Sequence, residues 1–229
     1  MLTANYNFMY TLSEENYLKA IYRLSQEKGQ KITPKGISDA LGNNPASVVD
    51  MIRKLVEKGL IDYDKKKGVQ LTAEGLKNAV LIVRKHRLWE VFLLEKLGYQ
   101  WDEIHSIAEE LEHIKDDTLA DRLDKFLEFP EYDPHGDPIP KANGKIPKSY
   151  SLTLANTKEG TACRVAAVKD TSSAFLQYLL KLKIGIGTSI KLIEKIAFDG
   201  SLVVSIAGKD QTTVSQKFGE NILVDGLAN

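Results

Sequence analysis

The residues best suited to chemistry lie in the stretch HSIAEELEH, residues 105 to 113. At 3.6 residues per turn, His105, Glu109, Glu112 and His113 fall at i, i+4, i+7 and i+8, so two imidazoles and two carboxylates share one stripe of a predicted helix. Those are the ligand types of a divalent-cation site. Upstream, RKHRLWE sets His86 and Glu90 one turn apart on another predicted helix, where a second imidazole and carboxylate pair can meet the first across a helix contact. A run of glutamates is usually a solvated face, yet three of the chain's four histidines fall in these two stripes. A di-metal carboxylate oxidase uses similar residues, and Glu110 with His113 has Glu-x-x-His spacing. That centre needs a second such motif, and the chain has none.

The elements that must position these groups belong to a chain of 229 residues, long enough for two or three modules. Hydrophobic content of 43% and charged content of 27% are those of an ordinary soluble protein, and no apolar run approaches the roughly 20 residues of a membrane span. The first residues, MLTANYNFMYTLSEEN, lack a basic region followed by an apolar one, so the expected location is cytoplasmic. The single cysteine, Cys163, sits in the strand-like run CRVAAV and reads as a small core residue; a Cys-based zinc site is excluded. Lysine plus arginine equals aspartate plus glutamate at 31 each, so any surface for nucleic acid must be local.

Such a surface is predicted near the N-terminus. Ser13 precedes a helical pattern of Tyr17, Leu18, Ile21, Tyr22 and Leu24 that ends at Gly29. Thr33 and Pro34 open a second helix, closed by Gly42, and Asn44 with Pro45 opens a third that buries Val48, Met51, Ile52 and Leu55. Two short helices joined by a tight turn form a helix-turn-helix. The following LIDYDKKKGVQLT reads as a hairpin tipped by Lys65, Lys66 and Lys67, a basic wing. Asn44, Pro45, Ala46, Ser47 and Asp50 on the leading turns of the third helix then face base edges, with Arg53, Lys54 and the wing lysines to phosphate.

From Thr72 a long amphipathic helix is predicted, followed by DEIHSIAEELEHI and DTLADRLDKFLEF as two more. Their apolar faces exceed what a small winged helix covers, which points to a self-association surface and a C2 homodimer. Residues 130 to 147 hold five of the seven prolines and read as an extended linker or belt that carries Asp133 and His135. Beyond Tyr150, the short runs YSLTL, CRVAAV, SIKLIEKIAF, SLVVSIAG and NILVDG predict a small β-barrel interrupted by the helical AFLQYLLKL. The fold class is therefore mainly α with β. Its expected parts are a winged helix-turn-helix over 1–72, a helical metal-binding and dimerisation segment over 73–130, a proline-rich linker over 131–149 and a barrel over 150–229.

The order of winged helix, RKHRLWEVFL, IHSIAEELEHI, DPHGDPIP and terminal barrel resembles the diphtheria toxin repressor family, with the match closest to its manganese-responsive branch and running from Leu12 onward. The resemblance implies a metal-dependent transcriptional repressor with an SH3-like (FeoA-like) C-terminal domain. It implies that Glu109, Glu112 and His113 form a primary metal site, completed in the family by an Asp or Met from the first helix, here Asn16. A neutral amide can bind a hard cation but brings no charge, so Glu15 or water is an alternative ligand. It further implies a secondary site of His86 and Glu90, with Asp133 and His135 from the belt and Asp170 from the barrel, while His105 matches a histidine that takes part in a metal site in the iron-responsive branch. The donor set predicts Mn(II), then Fe(II), with Zn(II) also binding, and metal promotes operator binding by a homodimer on palindromic double-stranded DNA. The alternative is a winged-helix regulator that senses a ligand other than metal.

Overall fold

The computed structural model describes residues 10–26, 29, 31–116 and 118–226; most of the N-terminal stretch tested for a leader lies outside the described residues. The chain divides into two compact units, one of Met1–Trp89, Glu109–Phe126 and Pro140–Lys145, the other of Glu90–Ala108, Leu127–Ile139 and Ile146–Asn229.

In the first unit, α1 (Leu12–Ser25) is opened by Thr11 and not by Ser13. The reason is a reciprocal cap: Thr11 Oγ1 accepts from the Glu14 N–H at 3.3 Å, and the Glu14 carboxylate accepts from the Thr11 N–H at 2.8 Å. α2 (Pro34–Leu41) and α3 (Pro45–Glu57) begin as the sequence predicts, capped by Thr33 and Asn44 with proline in the first turn, and Gly42 closes α2 in the left-handed conformation at φ 64°. Leu18 and Ile21 of α1, Ile37 of α2 and Val48, Ile52 and Leu55 of α3 share one core with Leu60, Ile61 and Val69. Each such side chain contributes about 1.5–3 kcal/mol by leaving water. Glu14, itself fully buried, also meets Lys54 Nζ at 2.9 Å and Lys58 Nζ at 2.7 Å, which ties the first turn of α1 to the end of α3.

The wing is an antiparallel pair, β1 (Ile61–Asp64) and β2 (Gly68–Leu71), in register from Ile61 opposite Leu71 to Asp64 opposite Gly68. Asp64 Oδ1 accepts from the Lys66 and Lys67 N–H groups at 2.8 and 2.9 Å, so the three lysines stand on a turn with internal support. Thr72 then caps α4 (Ala73–Glu95), its hydroxyl accepting from the Gly75 N–H at 3.1 Å. α5 is shorter than the expected helix and covers only Ile104–Leu111. Beyond it Asp116 opens α6 (Leu119–Phe126), its carboxylate accepting from the Thr118 and Leu119 N–H groups at 2.8 and 2.6 Å. Glu112 and His113 consequently stand in the turn after α5 and not on its face. Buried Arg84 of α4 bonds Asp121 at 2.7 Å and Asp124 at 2.8 Å, fastening α6 to α4.

The second unit carries a five-stranded antiparallel sheet of order β6-β5-β4-β3-β7, with β3 (Ala162–Val168), β4 (Ser189–Lys195), β5 (Leu202–Ile206), β6 (Gln211–Val214) and β7 (Ile222–Gly226). Val165, Ile190, Leu192, Val204 and Ile222 are buried, with Leu176 and Leu179 of α7 (Ser173–Leu182). YSLTL does not become a strand. Thr153 instead caps a single 3-10 turn at Leu154–Asn156, a side-chain bond that competes with ladder pairing, and only an isolated bridge joins Thr153 to Leu223. β6 and α8 (Gln216–Asn221) escape a reading based on apolar runs because QTTV is mostly polar and α8 is short.

Part of the expected extended linker is a tight turn. Tyr132 bridges Pro138, the Asp133 N–H donates to Asp137 O at 2.9 Å, and the Gly136 N–H donates to Asp133 O at 3.0 Å. The turn docks on β3, where the Val168 N–H donates to His135 O at 2.9 Å. Gly136 has φ +86°, and a Cβ there would lie 2.1 Å from Ala166 O.

Two stability predictions follow from this packing. Burial raises the Glu14 carboxyl, and the bonds from Lys58, the Thr11 N–H and Lys54 outweigh it to leave a pKa of about 2, below the usual 4.5. Because the value is depressed on folding, its stabilisation is present above pH 4.5 and fades toward pH 2. Glu14→Gln should cost about 1–2 kcal/mol at neutral pH in urea unfolding, and the gap from the parent should close as pH falls through that window. Gly136→Ala should cost about 2 kcal/mol or more, whereas Gly144→Ala, also at positive φ but with nothing near its Cβ position, should cost less in the same thermal melts.

Candidate metal centre

The first cluster joins α1, α4 and the turn after α5. His86 Nδ1 lies 2.6 Å from Glu112 Oε2 and 3.9 Å from Glu109 Oε1, and the donor atoms of the three residues all lie within 4.8 Å of one another. At their centre is Lys19 Nζ, at 2.6 Å from Glu109 Oε1, 2.5 Å from Glu112 Oε2 and 3.1 Å from His86 Nδ1. Lys19, His86 and Glu112 are all buried. Beside them, His113 Nε2 stands 3.7 Å from Glu112 Oε1, and its Nδ1 is 2.5 Å from Glu15 Oε2. Among the described residues, Asn16 Oδ1, also from α1, is buried without a hydrogen-bond partner, and so is Glu112 Oε1. Unsatisfied oxygens in such a place carry a desolvation cost that a cation offsets, and two carboxylates with imidazole nitrogen suit a divalent ion of intermediate hardness. The donor set therefore fits a metal.

The second cluster lies in the other unit. Glu90, Asp133 and His135, all buried, bring donor atoms within 4.8 Å of one another. His135 Nδ1 is 3.4 Å from Glu90 Oε2, and His105 Nδ1 is 3.1 Å from Glu90 Oε1. Burial pushes the His135 imidazole down, but the hydrogen bond and charge of Glu90, with the charge of Asp133, outweigh it and hold its pKa above the ordinary histidine value. Its Nε2 is buried with no hydrogen-bond partner among the described residues, which again leaves a donor aimed at nothing. Trp101 fixes the ring: it stacks on His135 at 5.7 Å between centroids and 15° between planes, and its Nε1–H donates to Pro134 O at 3.0 Å. Asp133 Oδ1 accepts from the His135 and Asp137 N–H groups at 2.8 and 3.0 Å, so the carboxylate shapes the turn that presents the imidazole.

Thus the structure brings Glu109, Glu112, His113 and Asn16 into one neighbourhood and adds His86 to it. Glu90, His105, Asp133 and His135 form the second. Asp170 is in none of the three-donor clusters among the described residues; its Oδ1 accepts from the Ser172 N–H at 2.9 Å at the entrance to α7.

Of the residues expected from the sequence to meet DNA, Asn44, Pro45, Ala46, Ser47, Asp50, Arg53 and Lys54 are exposed along α3, as are Lys65, Lys66 and Lys67 on the wing. Asn44 Oδ1 is used in capping, accepting from the Ala46 N–H at 2.9 Å, and Arg53 meets Asp50 at 3.3 Å. Sequence reasoning singled out neither Lys19 nor Trp101. Lys19 had a signal, since it stands three residues after Asn16 and four after Glu15, on the same face of α1. Trp101 had none, because its partner lies 34 positions away across the turn of the belt.

Family models match residues 9–69 (iron dependent repressor, N-terminal DNA binding domain), 72–141 (iron dependent repressor, metal binding and dimerisation domain) and 152–226 (FeoA domain). The iron-dependent repressor IdeR of Mycobacterium tuberculosis is 32% identical over 221 residues, 92% of this chain and 96% of that protein. The diphtheria toxin repressor of Corynebacterium diphtheriae is 26% identical over 208 residues, 86% and 89% of the two chains. Among solved structures, a manganese-dependent transcriptional repressor in complex with manganese superimposes with a TM-score of 0.85 at 35% identity, covering 93% of this chain and all of the other. ScaR with bound Zn2+ does so at 0.80 and 34%, covering 93% and 99%. Capped winged helix, buried histidine–carboxylate clusters and FeoA-type sheet occur together in one chain because it belongs to the iron-dependent repressor family, that of the diphtheria toxin repressor: transcriptional repressors that bind DNA in response to metal and govern metal homeostasis, and not enzymes.

Proposed function

We propose that Asn16, Glu109, Glu112 and His113 hold a divalent cation in the first cluster, that Glu90, Asp133 and His135 with His105 hold a second, and that Mn(II) is the activating metal. The observation that carries this reading is the meeting of α1 with the turn after α5, where Asn16 Oδ1 and Glu112 Oε1 are buried and unsatisfied. A cation there supplies positive charge shared by donors from the DNA-binding module and the helical segment behind it. Leu18 and Ile21 on the inner face of α1 pack in one core with Val48, Ile52 and Leu55 of α3, so whatever fixes α1 fixes the reading helix. Arg53 and the wing lysines, all exposed, would meet phosphate in this reading, and the exposed Ala46 and Ser47 would face bases. Lys54, paired with Glu14, has less charge to give.

The same reading assigns residues 1–72 to DNA binding, 73–130 to metal binding and dimerisation, 131–149 to a linker and 150–229 to the FeoA-like domain. A homodimer acting in the cytoplasm would set two copies of α3 on the half-sites of a palindromic operator. Among the described residues no helix is long and apolar enough to cross a membrane. The oxygen-rich donor set gives no thiolate or thioether, so selectivity must come from coordination number and geometry, while raw affinity still favours Zn(II) over Mn(II).

In gel-shift titrations, chelator should abolish operator binding and Mn(II) restore it, with Fe(II) next and Zn(II) restoring less despite binding more tightly; full activation by Fe(II) where Mn(II) does nothing would remove the manganese assignment. Glu112→Gln, which leaves shape but removes a buried charge, should weaken metal uptake in equilibrium dialysis about tenfold or more. Arg53→Ala should weaken DNA binding, and Lys66→Ala should lower the slope of log affinity against log salt by about one. An unchanged slope and affinity in the double variant would place the DNA contact elsewhere.

A further inference from the structure

Lys19 is a cationic side chain set among the acceptors of the first cluster, and the position of its nitrogen is that of a ligand-bound ion. Nζ lies 2.6, 2.5 and 3.1 Å from Glu109 Oε1, Glu112 Oε2 and His86 Nδ1, three atoms that themselves lie within 4.8 Å of one another. An ammonium has three protons to give, and here it donates to two carboxylate oxygens from the α5 region, with a ring nitrogen from α4 beside it. Lys19 is 4% exposed, and a charge so far from water persists only because it is paired.

We propose that Lys19 is a tethered cation occupying the place between His86, Glu109 and Glu112, and that a divalent ion gains these three donors only by displacing its ammonium. The inference rests on reading the cluster as a metal centre. Two positive centres cannot share that place. Metal–ligand bonds of roughly 2.0–2.6 Å would put a bound ion and Nζ in contact with no screening between them. Lys19 thereby does two things in the metal-free protein. It neutralises the buried carboxylates, and it keeps α1 joined to the turn after α5. It also raises the ion concentration needed for occupancy, because every binding event must break its charge-assisted hydrogen bonds. Its four-carbon stem allows the head to withdraw while α1 stays in place.

The test is Mn(II) binding to the full chain, followed by the electron paramagnetic resonance of the free ion, for the parent, Lys19→Met and Lys19→Gln. The sites lost in Glu112→Gln identify the first cluster. Methionine matches the stem without the charge, and glutamine retains a neutral donor should methionine leave the carboxylates too poorly paired to fold. Affinity at the identified sites should rise about tenfold or more in Lys19→Met and by less in Lys19→Gln. A residue that merely braces the ligands would shift affinity the other way on removal. Unchanged or weaker binding in both variants overturns the role of Lys19 while leaving the metal centre intact. Absence of Mn(II) uptake by the parent and both variants would instead overturn the reading of the cluster as a metal centre.

Discussion

Burying the Glu112 carboxylate beside the half-buried Glu109 is the constraint to which the first unit answers. Glu109 and Glu112 come from one short stretch, and neither would tolerate a dry environment unless positive charge were supplied. Lys19 supplies it from α1, some 90 positions earlier, and His86 adds a nitrogen from α4. Three elements remote in sequence are thus drawn to one place by electrostatic need, on top of the apolar core that α1 and α4 share. The same need decides which end of α1 matters. Its first turn is committed to Glu14 and the lysines of α3, and its middle to the cluster, so α1 is fixed at two points by charge and along its length by Leu18 and Ile21.

Much of this was legible in the sequence, for reasons specific to each element. Caps are local, so Thr33, Asn44 and the prolines after them marked α2 and α3 correctly. Ser13 misled because two cap-forming residues lie close together, and only the glutamate three residues beyond Thr11 decides between them. The end of α5 was misjudged because helical spacing continues through His113, although the helix itself closes at Leu111. Periodicity therefore gathered Glu109, Glu112 and His113 on slightly wrong geometry: two of them sit in a turn. His86 illustrates the other limit, since a spacing of four from Glu90 says that they share a face but not that His86 also reaches Glu112. Lys19 was invisible to a search for ligands because a lysine is not one.

The second cluster depends on backbone more than on charge. Asp133 and His135 are two residues apart, and they converge only because the chain reverses between Tyr132 and Pro138. The reversal lies flat against β3 with a glycine where any side chain would strike Ala166. Trp101 then holds the imidazole by stacking, leaving one ring nitrogen free of protein partners. A proline-rich stretch reads from sequence as a spacer, but here its prolines restrict the segment enough that a small number of hydrogen bonds define it.

The segment around Leu152 and Thr153, which does not become a strand, has a further consequence for the sheet. β7 is an edge strand, and an open edge of apolar residues invites pairing with another molecule. The Val224 N–H donates to Leu152 O at 2.9 Å, and Thr153 bridges Leu223, so the incoming chain lies along that border and uses up its middle. At the opposite border β6 is only four residues long and rich in glutamine and threonine, which offers little to a hydrophobic strand. Both margins are thereby blunted against pairing with a strand of another molecule.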